Sequence, residues 1–308
     1  VSDGVIENGT IVFEDGVIVA IGTDVEVPAG ARVVDVTGKH IYPGLIDAHT
    51  QLGISEIGAV DVSNDLNELG DFNPNVRAEV AVNAESRHIG TSRSAGVLVA
   101  LTSPQGGLVS GLSSAMNLEG WSWEEMSLEG AAALNVSWPD PEPRRAWWQN
   151  DDAEMPSYGE LVEELRSFFA QARAYRDAVN AGLEVPTDSR LAAMIPVIEG
   201  EIPVIVAADG ARQISDALTW AADEGVRLII RGGRDAVHVA DRLVAEDVPV
   251  IVTSTLDGPE RDWEGYDAAY RLPAELHERG VKFAIAGGSS ALYTNRLPWE
   301  AGVAVAFG

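Results

Sequence analysis

Short apolar strands alternate with helices from residue 42 to residue 286, and this alternation limits the fold to a few α/β architectures. Several strands are continuous apolar runs, which are typical of strands covered on both faces. Strands are predicted at 42–48, 97–102, 131–136, 202–208, 226–230, 248–253 and 281–286. Helices are predicted at 74–94, 158–180, 189–199, 211–224, 234–246 and 273–279. The pattern indicates a parallel sheet with helices packed on it.

Seven predicted strands are one short of a (β/α)8 barrel. The eighth is expected either at 113–118 or within the long stretch 138–203. The alternative is an open doubly wound sheet, but no G-x-G-x-x-G stands at the first strand-to-helix turn. We therefore predict a TIM-like (β/α)8 barrel. A helical pattern at 299–307 follows the last strand, and we expect a C-terminal segment of the fold to be missing after it.

Residues 1–40 predict a separate small β unit. Strands are expected at 9–13, 17–21 and 31–36, with a turn at Glu14-Asp15-Gly16 between the first two. Because three short strands do not close a sheet, we expect either missing N-terminal residues or partner strands from another part of the chain. The predicted domains are therefore 1–40, part of a composite β-sandwich, and 41–308, the barrel. Segment 139–156 is predicted to be a surface excursion, in which Trp147 and Trp148 either pack the insertion down or cap a ligand.

Composition excludes several classes of protein. The net charge of -27 repels phosphate backbones, so no nucleic acid is expected as a partner. No apolar run approaches the roughly 18 residues of a membrane span, so we predict a soluble protein of the cytoplasm or periplasm. The chain has no cysteine, so any metal must be bound by His, Asp and Glu.

The segment 41–53, which reads IYPGLIDAHTQLG, contains the most informative polar residues. An apolar strand ends there with His49 and, two residues later, Gln51. Because side chains alternate along a strand, both are expected to point to the same face at the barrel mouth. The segment therefore predicts where an active site lies.

This segment resembles the first barrel strand of the amidohydrolase superfamily, where PGxIDxHxH supplies two metal-binding histidines. Residues 14–22, EDGVIVAIG, resemble the DGxIxAIG-like signature that precedes that strand, and 34–39 is similar to its lead-in. The closest resemblance is to imidazolonepropionase-like amidohydrolases. It implies a hydrolase of non-peptide carbon–nitrogen bonds in which one or two divalent ions activate water and an aspartate on the last strand moves the proton.

The residues at the matching positions depart from that pattern. Gln51 stands where the second histidine is expected, and amides are weak zinc ligands. Asp209 is the only substitute near the fifth-strand histidine, and Arg231 takes the sixth-strand position, where its cation opposes a dication. Gly288 takes the place of the catalytic aspartate. Only His49 is kept, because His40, His88, His238 and His277 are expected on helices or outside the mouth.

These residues leave two hypotheses. In the first, a depleted hydrolase uses His49 and Asp209 as catalytic groups, and His49 binds a single divalent ion such as zinc if any metal is kept. In the second, a metal-free barrel binds a small molecule or serves as a structural partner, and a homo-oligomer is one alternative. No cofactor is expected in the second. Substrate-binding groups are predicted at Gln51, Glu56, Arg231 and Arg212, and the two arginines either clamp a carboxylate or pair with Asp209.

Overall fold

The computed structural model describes residues 4–142, 156–288 and 290–308. Most of the predicted excursion at 139–156, including both of its tryptophans, lies outside these residues. The chain divides into two compact units, one ending at Gly44 and one beginning at Leu45.

The N-terminal unit contains a two-stranded antiparallel sheet, β1 (Thr10–Glu14) and β2 (Val17–Gly22). Asp15 and Gly16 both have positive φ angles, as a tight hairpin turn requires. The strand predicted at 31–36 is absent, because no neighbouring strand in this part of the chain pairs with it. The apolar pattern at 31–36 predicted a strand, but a strand also needs a paired neighbour, which a local pattern does not reveal.

The second unit is an α/β barrel. Its strands are β3 (Leu45–Thr50), β4 (Val97–Thr102), β5 (Val109–Asn117), β6 (Ser127–Ser137), β7 (Val204–Ala208), β8 (Leu228–Gly232), β9 (Val250–Val252) and β10 (Phe283–Ile285). Its helices are α1 (Arg87–Ser94), α2 (Trp123–Met126), α3 (Tyr158–Asn180), α4 (Ser189–Ile198), α5 (Ala211–Glu224), α6 (Ala240–Ala245), α7 (Ala268–Glu278) and α8 (Leu297–Ala306). Within the described residues the strands form one eight-stranded sheet in chain order, β3 to β10.

The predicted barrel is confirmed, and the eighth strand lies at the first of the two predicted places. The prediction of a wholly parallel sheet is wrong, however, because β5 runs antiparallel to both β4 and β6. The connection 103–108 is too short for a parallel crossover, which needs roughly a dozen residues. A hairpin therefore replaces one β/α repeat.

The helix predicted at 74–94 is interrupted. A short 3-10 segment occupies Ala78–Ala81, and α1 begins only after Ser86, whose hydroxyl oxygen accepts a hydrogen bond from the His88 backbone N–H at 3.3 Å. Serine favours the N-cap position because its side chain satisfies a free backbone donor of the first turn. Ser86, which lies inside the predicted helix, is therefore the N-cap of α1.

Side chains join the two edge strands of the sheet. No strand ladder joins β10 to β3, but the Asp47 carboxylate on β3 accepts the Gly287 N–H at 3.2 Å, just after β10. The hydroxyls of Thr50 and Thr294 are 2.5 Å apart at the same seam. Asp47, Thr50 and Thr294 are fully buried. The barrel is therefore closed by side-chain hydrogen bonds rather than by a backbone ladder.

The main core lies between the strands and helices α3 to α7. Its largest fully buried side chain, Trp220, packs against Phe169 and Trp138 with ring centroids 5.0 and 5.6 Å away. A smaller cluster combines Ala133 and Ile205 with Ile251 and Ala286. The aromatic groups thus lie on the helix side of the sheet, while the second cluster is made of smaller side chains.

A substitution at Gly107 tests the turn between β4 and β5. Its φ is +62°, and an added Cβ would lie 2.8 Å from the Asp71 backbone and the Gly70 carbonyl. We expect Gly107→Ala to lower the free energy of unfolding by about 1–3 kcal/mol, because backbone atoms cannot move aside as a side chain can. Urea unfolding measures this. Gly90→Ala on α1, where nothing lies within 4 Å, is the control and should not destabilise the protein; equal effects would contradict the argument.

Candidate functional site

His49 lies near the end of β3 with only 3% of its surface exposed. Its Nε2 is 3.3 Å from Nη1 of Arg231. A guanidinium can only donate hydrogen bonds, so Nε2 accepts and the proton of the neutral ring is assigned to Nδ1. Burial, together with the charge of Arg231, lowers the pKa of His49 to about 3. His49 is therefore a neutral imidazole at physiological pH.

Arg231 lies on β8, whose register places it beside Ala207 of β7 and Ile251 of β9. Burial lowers the pKa of its guanidinium, and the carboxylate of Asp209 partly opposes this effect. Arginine stays protonated in proteins even when its pKa falls. The strand therefore holds a permanent cation against the imidazole of His49.

A cavity of about 60 Å³ opens beside these two side chains. Its walls come from the ends of several strands and from the turn after β4. The lining residues are His49, Gln51, Pro104, Gln105, Ser110, Asn135, Val136, Ser137, Ile205 and Arg231. None of these described residues is an aspartate or a glutamate, and Arg231 is the one among them that is permanently charged.

Neutral hydrogen bonds hold the cavity wall. Gln51 Nε2 donates to Gln105 Oε1 at 2.6 Å, and this contact joins β3 to the turn after β4. Asn135 Nδ2 donates a hydrogen bond to the Ser113 hydroxyl at 2.7 Å. The Ser113 hydroxyl is in turn 2.8 Å from the Ser103 hydroxyl. A buried network whose members satisfy one another is rigid, and it makes the wall a preformed surface.

The structure brings together three of the residues predicted from the sequence. His49, Gln51 and Arg231 line the cavity. Asp209 follows β7, is exposed, and acts on Arg231 only through its charge. Three of the predicted residues therefore line one cavity, whereas the predicted assisting carboxylate of Asp209 lies outside the lining.

The other two predicted residues are held elsewhere. A Glu56 carboxylate oxygen is 3.9 Å from His88 Nε2, and that nitrogen is 3.0 Å from the Glu56 carbonyl oxygen. Arg212 is 3.7 Å from Asp216 and lies over the Tyr158 ring at 5.0 Å. Neither residue lines the cavity, so Arg212 and Arg231 do not form the predicted clamp.

Asp47 is a buried acid that the sequence analysis did not single out. It is 0% exposed, and desolvation raises its pKa to about 7, although hydrogen bonds from the His49 and Gly287 backbone N–H groups oppose the rise. The nearby charge of Glu300 raises it further. Its position two residues before His49, on the same face of β3, was the available signal.

The residues present do not fit a divalent metal ion. His49 Nε2, a nitrogen that a metal would need, faces a guanidinium, and the Gln51 amide bonds to Gln105. In the described part of the chain, no group of three or more His, Cys, Asp or Glu residues is placed to hold an ion. A dication beside Arg231 would also meet direct charge repulsion.

Solved structures define the fold family. An amidohydrolase from Thermotoga maritima superposes with a TM-score of 0.85 over 97% of this chain and 79% of its own, at 24% identity. This chain has the amidohydrolase-superfamily fold. A second solved amidohydrolase gives a TM-score of 0.52 at 17% identity, covering 98% of this chain and 78% of its own. The fold predicted from IYPGLIDAHTQLG is therefore confirmed.

Curated relatives match a short part of the amidohydrolase-like chain. An imidazolonepropionase from a Geobacillus species is 49% identical over 53 residues, which are 15% of this chain and 12% of the relative. An imidazolonepropionase from Mesorhizobium japonicum is 45% identical over 53 residues, 16% of this chain and 13% of its own length. The predicted similarity to imidazolonepropionases is thus confirmed for this short part. No protein-family model matches the chain.

Among the described residues, no helix combines the length and the apolar character needed to cross a lipid bilayer.

Proposed function

We propose that this protein is a metal-independent barrel that binds a small polar molecule in the cavity beside His49 and Arg231. The observation that carries the proposal is the 3.3 Å contact between His49 Nε2 and the Arg231 guanidinium. It directs the imidazole lone pair at a permanent cation, which excludes a metal from the same nitrogen. The lining of amides and hydroxyls supplies the few polar groups that orient a ligand in such a pocket.

Metal analysis tests the first half of this proposal. We expect the purified protein to contain no stoichiometric zinc, manganese or iron, and we expect its Tm to stay the same with a chelator or with added zinc. A ligand that binds only the folded state would raise Tm. Elemental analysis and thermal melting measure both quantities. Stoichiometric metal whose removal lowers Tm would contradict the proposal.

Hydrolysis of a carbon–nitrogen bond is the second candidate function. The match to imidazolonepropionases over 53 residues and the superfamily fold favour it. In this reading His49 and Asp209 would handle protons. A pKa of about 3 makes His49 a weak base at neutral pH, and Asp209 does not line the cavity. The geometry therefore supports binding better than hydrolysis.

An activity assay separates the two candidates. Imidazolonepropionase activity is measured with the protein as purified and after incubation with zinc, and His49→Gln is assayed beside it. We expect no turnover in any of these samples. Turnover by the wild type that His49→Gln abolishes would favour the hydrolase.

A further inference from the structure

We propose that the ligand of this cavity is a small neutral molecule that donates a hydrogen bond from an N–H or O–H group to the side-chain oxygen of Asn135. This inference rests on the small-molecule binding proposed above and names the chemistry of the ligand. The fixed orientation of the Asn135 amide, the hydroxyl of Ser110 and the size of the cavity carry it.

The neighbours of Asn135 fix the orientation of its amide. Asn135 lies on β6, lines the cavity and is 6% exposed. Its Nδ2 donates to the Gly111 carbonyl oxygen at 3.0 Å and to the Ser113 hydroxyl at 2.7 Å. A backbone carbonyl can only accept, so the amide nitrogen must face Gly111 and the amide cannot be flipped. Both hydrogens of Nδ2 are therefore used within the protein.

The remaining polar atom of Asn135, Oδ1, is an acceptor that needs a donor. None of the residues that the structure describes donates a hydrogen bond to it. Oδ1 is also not among the unpartnered atoms that these residues fully enclose, so it is open on the side of the cavity that Asn135 lines. Buried polar groups are paired with protein, water or ligand, and leaving one unpaired weakens binding. A molecule that fills the cavity must therefore bring a donor.

Ser110 supplies a second polar group to the cavity. It lies on β5, is 3% exposed, and its hydroxyl makes no hydrogen bond to any residue in the described part of the chain. A hydroxyl both donates and accepts, so it can meet the acceptor of a ligand. The contact between Gln51 and Gln105 uses one amide oxygen and one amide N–H, which leaves one oxygen and further N–H groups on the pair. The lining thus offers acceptors as well as donors.

The charges of the lining favour a neutral molecule. A cation would meet the permanent positive charge of Arg231. A carboxylate has only accepting oxygens, so it would leave Asn135 Oδ1 without a donor. A neutral molecule with an N–H or O–H group beside an acceptor avoids both costs.

The size of the cavity limits the ligand. A volume of about 60 Å³ corresponds to only a few water positions, since one water needs on the order of 10–15 Å³ on this measure. A primary amide or an alcohol of about four heavy atoms matches this space, whereas an aromatic ring or a sugar does not. The inferred class is therefore a very small neutral amide or alcohol.

Four probes with the same skeleton test the inference in saturation-transfer NMR titrations of the full chain. Acetamide carries an N–H donor, propan-2-ol carries an O–H donor, acetone has no donor, and acetate has a charge and no donor. We expect acetamide or propan-2-ol to bind with millimolar affinity, and acetone and acetate to bind at least about tenfold more weakly. The tighter of the first two shows whether the donor is N–H or O–H.

Two variants connect this preference to the named side chains. In Asn135→Ala the preference for the donor probe over acetone should fall to near one, because the acceptor is gone. Ser110→Ala removes a hydroxyl that has no partner among the described residues, so it should fold normally and weaken binding of the donor probe about threefold or more. Ser189→Ala, an exposed position on α4 outside the lining, is the control and should leave binding unchanged.

The possible failures are distinguishable. If acetone or acetate binds as tightly as both donor probes, the small-molecule site stands but the inferred ligand class is overturned. An unchanged preference in Asn135→Ala also overturns the inference. If none of the four probes binds, the proposed binding function fails as well. Should Asn135→Ala not fold, the comparison of the four probes on the wild type and on Ser110→Ala decides the question.

Discussion

Replacing His49 with glutamine should remove a contribution to the free energy of unfolding that grows by roughly 5 kcal/mol as the pH rises through the window of the His49 pKa shift. Each unit of pKa shift contributes about 1.4 kcal/mol. Burial beside Arg231 lowers the pKa of His49 from 6.5 to about 3. Between these two pH values the unfolded chain binds a proton at this ring and the folded chain does not. Wild-type stability from His49 is therefore fully present above pH 6.5 and is lost as the pH falls toward 3.

Glutamine tests this because it cannot ionise in that range and its amide oxygen can still accept from Arg231. The measurement is the free energy of unfolding of both proteins, from urea titrations at several pH values across that range. We expect the wild-type value minus the His49→Gln value to rise with pH. His277→Gln, at the C-terminal end of α7, is the control. A difference that stays level with pH would contradict the buried, neutral imidazole.

Replacing Asp47 with asparagine should remove a contribution to the free energy of unfolding that falls by roughly 4 kcal/mol as the pH rises, which is the opposite sign to that of His49. Burial raises the pKa of Asp47 from 3.8 to about 7. Between these values the folded chain binds a proton that the unfolded chain has released. The stability from Asp47 is therefore fully present below pH 3.8 and is lost as the pH rises through about 7.

Asparagine preserves the seam between β3 and β10. Its Oδ1 can accept the Gly287 and His49 N–H groups as Asp47 Oδ1 does at 3.2 Å, and its amide can donate to Thr294. We expect the wild-type free energy of unfolding minus that of Asp47→Asn to fall as the pH rises from about 4 to 7. Asp65→Asn, an exposed loop position, is the control. An unchanged difference would mean that Asp47 ionises freely in the folded protein.

His49 and Asp47, both on β3, have opposite effects on how the free energy of unfolding changes with pH. Their windows overlap between 3.8 and 6.5, where the slope from His49 is positive and the slope from Asp47 is negative. We therefore expect the two contributions to oppose each other in that window of the wild-type profile, and each single variant to reveal the contribution of the group that remains.

The fold was predictable because it depends on periodicity. Apolar runs such as Val204–Ala208 and helices such as Ala211–Glu224 are local patterns, and their alternation points to a barrel without any knowledge of distant contacts. The hairpin at β5 was harder, because Val109–Asn117 mixes small polar and apolar residues. Strand direction follows from the length of the connection, and that length becomes certain only when both strand ends are known.

The sequence alone determined the class of fold, and it carries the prediction of a site at the end of β3, because Gln51 and Arg231 stand where the resemblance implies metal-binding histidines. These are properties of residue type and spacing. Only the tertiary structure decided which polar groups meet. It set Arg231 against His49, held Arg212 and Glu56 elsewhere, and buried Asp47 in the seam. Burial and the direction of long side chains depend on contacts between residues far apart in the chain, and such contacts leave no periodic pattern in the sequence.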